Sequence, residues 1–109
     1  MKYKHPAPSS SAVWLGKRLE RIRTLRGVGR REVAKLLKET EKKIVSMERG
    51  AFISLPRLEL LGEFYGQPVD KKIIRKISNA RKLEQEHDTS FDEELRALYE
   101  EAFQLDEEE

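Results

Sequence analysis

The chain contains no cysteine and only two histidines among its 109 residues. The absence of cysteine excludes a disulfide framework and any thiolate zinc site, and it is typical of proteins in a reducing compartment. No apolar run approaches the ~20 residues that a membrane span requires. The polar start MKYKHPAPSS also lacks the apolar stretch of a signal peptide. We therefore expect a cytoplasmic protein that contacts no membrane.

The sequence also lacks the residue patterns that an active site needs. His5 lies in a polar terminus and His87 in a linker, and neither has the spacing of a Ser/His/Asp triad or a metal site. The GVG at 27–29 lacks the strand that precedes a phosphate-binding loop. We predict that the protein is not an enzyme and that it has no catalytic residues, no metal site and no cofactor.

The formal net charge of +2 conceals a strong charge asymmetry along the chain. Residues 1–83 contain 21 Lys and Arg against 8 Asp and Glu, which is a net charge of +13. Residues 84–109 contain one Arg against 12 acidic residues, which is a net charge of −11. A basic body of this kind suits phosphate backbones, because each neutralised phosphate releases counterions. The acidic end suits a basic partner.

The spacing of apolar residues predicts helices along most of the chain. Apolar positions three and four apart predict a first helix with Ser10 or Ser11 as its N-cap, ended by Gly27. RREVAKLL at 30–37 predicts a short second helix, in which the small Ala34 suits a steep helix crossing.

The segment TEKKIVSMERG at 40–50 predicts a short, exposed, basic third helix. Thr40 is a suitable N-cap and Gly50 a suitable residue to end the helix. Ile44 and Met47 lie three positions apart and are expected to face the core. The remaining, mostly charged residues are then available to solvent or to a partner.

Three more helices are predicted after the third. Ser54 is the expected N-cap of the fourth helix, and Asp70 is the expected cap of the fifth. Ser90 and Glu93 have the spacing of a capping box and predict the start of a sixth. In the loop AFIS, Phe52 is expected to plug the core, and exposure of Phe52 and Ile53 beside DNA is the alternative.

The run from Leu15 to Asp70 resembles the Cro/CI-type helix-turn-helix domain of the Xre family of bacterial and phage transcriptional regulators. The resemblance lies in LGKRLERIRTLRGVGRREVAKLL, TEKKIVSMERG and RLELLGEFYGQPVD, which occur in the usual order and spacing. It implies a lambda-repressor-like fold and a sequence-specific DNA-binding regulator, most simply a repressor. Such proteins read palindromic operators as homodimers.

The resemblance also implies roles for individual residues, with 40–49 as the recognition helix. An ion pair between Arg23 and Glu48 is expected to be structural. The positions expected to read bases are Glu41, Lys42 and Ser46. The positions expected to contact the DNA backbone are Arg30, Arg31, Thr40, Lys43, Arg49 and Ser54.

Two positions depart from the pattern of the family. Lys38 occupies the turn where glycine is common, and it would be strained if the turn needs positive φ. Glu41 would accept a hydrogen bond from cytosine N4 but repel phosphates, unlike the more usual Gln or Arg. The preferred operator therefore cannot be copied from relatives.

Beyond Asp70 the resemblance ends, and two apolar stripes on the last helices remain to be explained. We expect them to form the homodimer contact, although the first stripe could instead close the core within one chain. Alternatives for the acidic last helix are contact with a second protein, or folding over the basic face in competition with DNA. The residues expected at the dimer or partner contact are Ile73, Ile77, Leu95, Leu98, Tyr99, Ala102 and Phe103.

The sequence thus predicts an all-α protein with a helix-turn-helix domain and a C-terminal helical extension. Its expected partners are double-stranded DNA and a second copy of the chain. A protein-binding adaptor, similar to an antitoxin or antirepressor and acting through the acidic last helix, is the alternative function. The expected divisions are a flexible basic arm at 1–10, a DNA-binding domain at 11–70, C-terminal helices at 71–105 and an acidic tail at 106–109.

Overall fold

The computed structural model describes residues 9–87 and 90–105, and in those ranges every regular element is an α-helix. The all-α fold class is confirmed. Most of the predicted basic arm, residues 1–8, and the acidic tail at 106–109 lie outside the described residues. Within the two ranges, no helix combines the length and apolarity that a bilayer span requires. The helices are α1 (Ser10–Leu25), α2 (Arg30–Leu37), α3 (Glu41–Glu48), α4 (Leu55–Phe64), α5 (Lys71–His87) and α6 (Asp92–Ala102).

Helix α1 begins earlier than predicted, and its first turn is hydrogen-bonded to α6. The N-cap is Ser9, whose hydroxyl accepts a hydrogen bond from the Ala12 N–H, so the expectation of Ser10 or Ser11 as cap is wrong. The hydroxyls of those two serines have other partners, because Ser10 donates to the Asp92 carboxylate and the Ser11 hydroxyl pairs with the Ser9 hydroxyl. The Ser11 N–H also donates to the Asp92 carboxylate. The first residue of α6 thereby binds the first turn of α1.

Stability at low pH is expected to depend on Asp92. Hydrogen bonds from Ser10 and then Ser11 lower its pKa to about 2. The pKa in the unfolded chain is ~3.9, so the stabilisation is complete above that value and is lost as the pH falls toward 2. We expect Asp92→Asn to lower the free energy of unfolding by ~1 kcal/mol at neutral pH, the size expected for charge-assisted hydrogen bonds that solvent partly screens. The variant should also show less of the acid-induced loss between these two pKa values.

Urea unfolding at a series of pH values tests this prediction, with Glu93→Gln as the control because Glu93 is the exposed next residue of α6. The control should follow the wild-type pH dependence. Parallel loss of stability by wild type and Asp92→Asn between pH ~4 and 2 would contradict the assignment to Asp92.

The turn between α2 and α3 contains a lysine in a left-handed conformation. Lys38 has φ 57° and ψ 48°, and it is the one non-glycine residue with positive φ in the part of the chain that the structure describes. This conformation costs a side-chain-bearing residue ~1–2 kcal/mol. The next N–H, of Glu39, donates to the Ala34 carbonyl at 2.8 Å, which closes the end of α2. The strain predicted for a lysine at this turn is therefore present.

Helix α1 crosses the end of α3 with their backbones in contact. A Cβ added at Gly16 would lie 2.6 Å from the carbonyl oxygens of both Met47 and Glu48. Only glycine fits there without moving one helix. The close approach fixes the depth at which α3 sits on the core. Ala34, expected at a steep helix crossing, is itself buried on α2.

The predicted capping box at the start of α6 does not form. The N-cap position is Phe91 and has no side-chain capping bond, so the prediction of Ser90 paired with Glu93 is wrong. The reason lies in α5, where the Glu84 carboxylate accepts the Phe91 N–H at 2.9 Å. The Ser90 hydroxyl accepts from the Asp92 N–H at 3.3 Å. In contrast, Asp70 does cap α5, accepting from the Lys72 N–H at 2.8 Å.

One hydrophobic core includes residues from both sides of the division predicted at residue 70. Helix α6 packs against α1 and α5, so its apolar face is covered within the chain. This packing corrects the expectation of a dimer or partner contact, because side chains buried in the core offer no surface to a second molecule. The buried members of that set are Ile73, Ile77, Leu95, Tyr99, Ala102 and Phe103, and Leu98 is half-buried against them.

Candidate nucleic-acid interface

Helix α3 has a buried face and a polar exposed face. Ile44 and Met47 are buried, as predicted from their spacing. The Thr40 hydroxyl accepts from the Lys43 N–H at 3.1 Å, which confirms Thr40 as the N-cap. The exposed residues of the segment 40–50 are Thr40, Glu41, Lys42, Lys43, Ser46 and Arg49.

A network of ion pairs lies beneath this exposed face and joins three helices. The Glu48 carboxylate accepts from Arg23 Nε at 2.7 Å and from Arg30 Nε at 2.9 Å. Arg30 also donates to Glu20 at 3.1 Å. The hydrogen bond to Glu48 raises the pKa of Arg23, and burial raises the pKa of the neighbouring Tyr65 to about 12. The ion pair expected between Arg23 and Glu48 is thus present, and it fixes α3 against α1.

The two arginines at the start of α2 differ in whether they are already bound within the protein or are available to a partner. Arg30 is held by Glu48 and Glu20, and 38% of its side chain is exposed. Arg31 is exposed and makes none of the described ion pairs. The sequence predicts both arginines as phosphate contacts, but Arg30 belongs to the ion-pair network. The one hint of this in the sequence is Glu20, an acidic residue among the arginines of α1.

A second ion pair, which the sequence did not reveal, holds the turn before α3. Arg57 of α4 donates to the Glu39 carboxylate at 2.6 Å, and this bond lowers the pKa of Glu39. Ser54 occupies the N-cap position of α4 but makes no side-chain capping bond, so that hydroxyl is not committed to the helix. The turn is therefore attached to α4 as well as to α2.

The loop between α3 and α4 has two large apolar residues, one exposed to solvent and the other buried in the core. Phe52 is 72% exposed, whereas Ile53 is 2% exposed. The prediction that Phe52 plugs the core is therefore wrong, and Ile53 takes that place. Phe52 instead stacks against Arg81 of α5, whose guanidinium carbon lies 4.8 Å from the ring centroid.

Comparison of the chain with protein-family models, with curated proteins and with solved structures found no match. The resemblance to the Cro/CI-type domain accordingly stays a prediction from the residues quoted above.

Proposed function

We propose that the protein is a sequence-specific DNA-binding transcriptional regulator that inserts α3 into the major groove and acts as a homodimer on a palindromic site. The observation that supports the proposal best is the combination of a polar exposed face on α3 with the buried ion pair between Arg23 and Glu48, which holds the helix. A rigidly held helix presents its side chains in fixed positions, which base recognition requires.

The size and chemistry of α3 suit a groove. A helix with its side chains is ~10–12 Å across, close to the ~12 Å width of the major groove. Lys42 can donate to guanine O6 and N7, the Ser46 hydroxyl can donate or accept, and Glu41 can accept from cytosine N4. Glu41 lies in the first turn, where the helix dipole favours a carboxylate.

The cations around α3 suit the phosphates that flank a groove. Lys43 and Arg49 are exposed at the two ends of the helix, and Arg31 is exposed on α2. Because Arg31 is outside the ion-pair network, its contact with phosphate would cost no internal bond. The homodimer requires surfaces other than the apolar faces of α5 and α6, since those faces are used within the chain.

Selection of bound duplexes from a random pool tests the proposal directly. We expect a palindrome with half-sites ~10 base pairs apart and two chains bound per site. Affinity should fall steeply as salt rises, because phosphate contacts release counterions. Absence of binding at low salt would overturn the proposal and favour an adaptor that uses the acidic outer face of α6.

Single substitutions separate base contacts from phosphate contacts. Lys42→Ala and Ser46→Ala should each cost ~1–3 kcal/mol at the selected site and alter the preferred base at one position. Arg31→Ala should weaken all sites alike and reduce the salt slope by ~1. Lys76→Ala, at an exposed position on α5, is the matched control and should change neither quantity. Equal, sequence-independent losses in all variants would contradict the assigned roles.

A further inference from the structure

A cavity of about 610 Å³ lies where five parts of the chain meet. The start of α1, the loop at 51–54, the start of α4, the later part of α5 and helix α6 all contribute to its walls. Its volume falls within the ~300–1,000 Å³ that is typical of small-molecule sites. DNA recognition as proposed above does not use this cavity.

The deep part of the cavity is apolar. Leu15 of α1, Ile53 of the loop and Leu95 of α6 line it, and all three are buried. Leu55 and the exposed ring of Phe52 extend the apolar wall toward the opening. An apolar group bound here would be removed from water on several sides, which favours binding by ~25 cal/mol per Å² of apolar surface.

The guanidinium of Arg81 lies on the α5 side of the cavity in a fixed position. Arg81 donates to the Tyr99 hydroxyl from Nη2 at 2.9 Å and from Nε at 3.2 Å, while Phe52 stacks on its guanidinium. These partners are neutral, and none of the described ion pairs involves Arg81. The guanidinium of Arg81 is therefore held by neutral groups, and none of the described ion pairs neutralises its charge.

The other charged residues of the lining support the same polarity. Lys82 also lines the cavity. Glu84 is the one acidic residue among the described lining residues, and its carboxylate already accepts the Phe91 N–H. The wall thus combines an apolar surface with a net positive charge near Arg81, which is complementary to a molecule with an apolar body and one anionic group.

We propose that this cavity binds an amphipathic carboxylate, with the carboxylate on Arg81 and the apolar chain against Leu15, Ile53 and Leu95. A guanidinium held by neutral partners can form charge-assisted, bidentate hydrogen bonds with a carboxylate. The inference does not depend on the proposed DNA function, because ligand binding is measured without DNA.

Calorimetric titration of the full chain with decanoate tests the site, and 1-decanol is the uncharged probe with the same chain. We expect decanoate to bind at one site and about tenfold more tightly than 1-decanol, the difference expected for one hydrogen-bonded charge. Failure of decanoate to bind, or equal binding of the two probes, would overturn the proposal.

Two variants locate the bound molecule. Arg81→Gln should weaken decanoate binding about tenfold and leave 1-decanol unaffected, whereas Arg75→Gln, at an exposed position on the same helix, should change neither. Ser78→Phe should place a ring in the cavity from α5 and weaken the binding of both probes while every charge is kept. Thermal unfolding of each variant verifies that it is folded. Wild-type binding by Ser78→Phe, or by Arg81→Gln, would show that decanoate binds elsewhere and would overturn the assignment.

Discussion

Replacing Glu48 by alanine is expected to lower the free energy of unfolding by about 3–5 kcal/mol, the usual cost of removing one partner from a buried ion pair. The Glu48 side chain is only 7% exposed, and that of its partner Arg23 is 9% exposed. Without the carboxylate, the guanidinium of Arg23 would keep its charge in the interior with much weaker compensation. The end of α3 would also lose its bonds to α1 and α2.

Urea unfolding at neutral pH measures this effect. Glu41→Ala is the matched control, since it removes an exposed glutamate from the same helix and should change stability by less than ~0.5 kcal/mol. A double variant, Arg23→Met with Glu48→Leu, should be more stable than Glu48→Ala alone because it leaves no unpaired buried charge. A loss below ~1 kcal/mol for Glu48→Ala would mean that the network is hydrated and contributes as a surface pair does.

Phe103→Ala should destabilise the chain by about 3–5 kcal/mol, the usual cost of truncating a buried phenylalanine. Phe103 follows α6 and has no exposed surface. Its own carbonyl accepts from Arg18 Nη1 at 3.0 Å, so the end of α6 is bonded to α1 by the backbone as well. Loss of the ring would leave a cavity in the hydrophobic core.

Phe52→Ala is the matched control for this prediction, because Phe52 is largely exposed. It should cost only ~0.5–1 kcal/mol, the value of its stacking on Arg81. Thermal unfolding and sedimentation of both variants distinguish a core residue from an interface residue. A change in sedimenting mass with unchanged stability in Phe103→Ala would show that α6 contacts a second chain and would contradict the packing described above.

Local features of the fold could be predicted from sequence, because they depend on neighbouring residues. The apolar spacing predicted RREVAKLL as a helix with the bounds that α2 has, and the N-cap role of Thr40 follows from its hydroxyl alone. The pair of Arg23 with Glu48 lies 25 positions apart, and only the family resemblance indicated it.

Other features could not be predicted because distant parts of the chain decide them. An apolar stripe indicates that a helix face is buried, but it does not identify the element that buries it. The sequence therefore predicts an interface at α6, where the structure has contacts with α1 and α5. Phe52 and Ile53 are adjacent and both apolar, and the packing of α4 and α5 determines which one points inward. The cap of α6 depends on Glu84, a residue of the preceding helix. The cavity requires five segments that only the folded chain brings together.

The contact between α1 and α6 joins the first helix of the described residues to the last. During synthesis, the apolar face of α1 therefore emerges from the ribosome long before the helix that covers it. Closing a contact across so many residues carries a loop entropy cost before any burial repays it. The complete core consequently forms only after translation has passed α6, and a product terminated within α5 would expose apolar surface and be open to proteolysis.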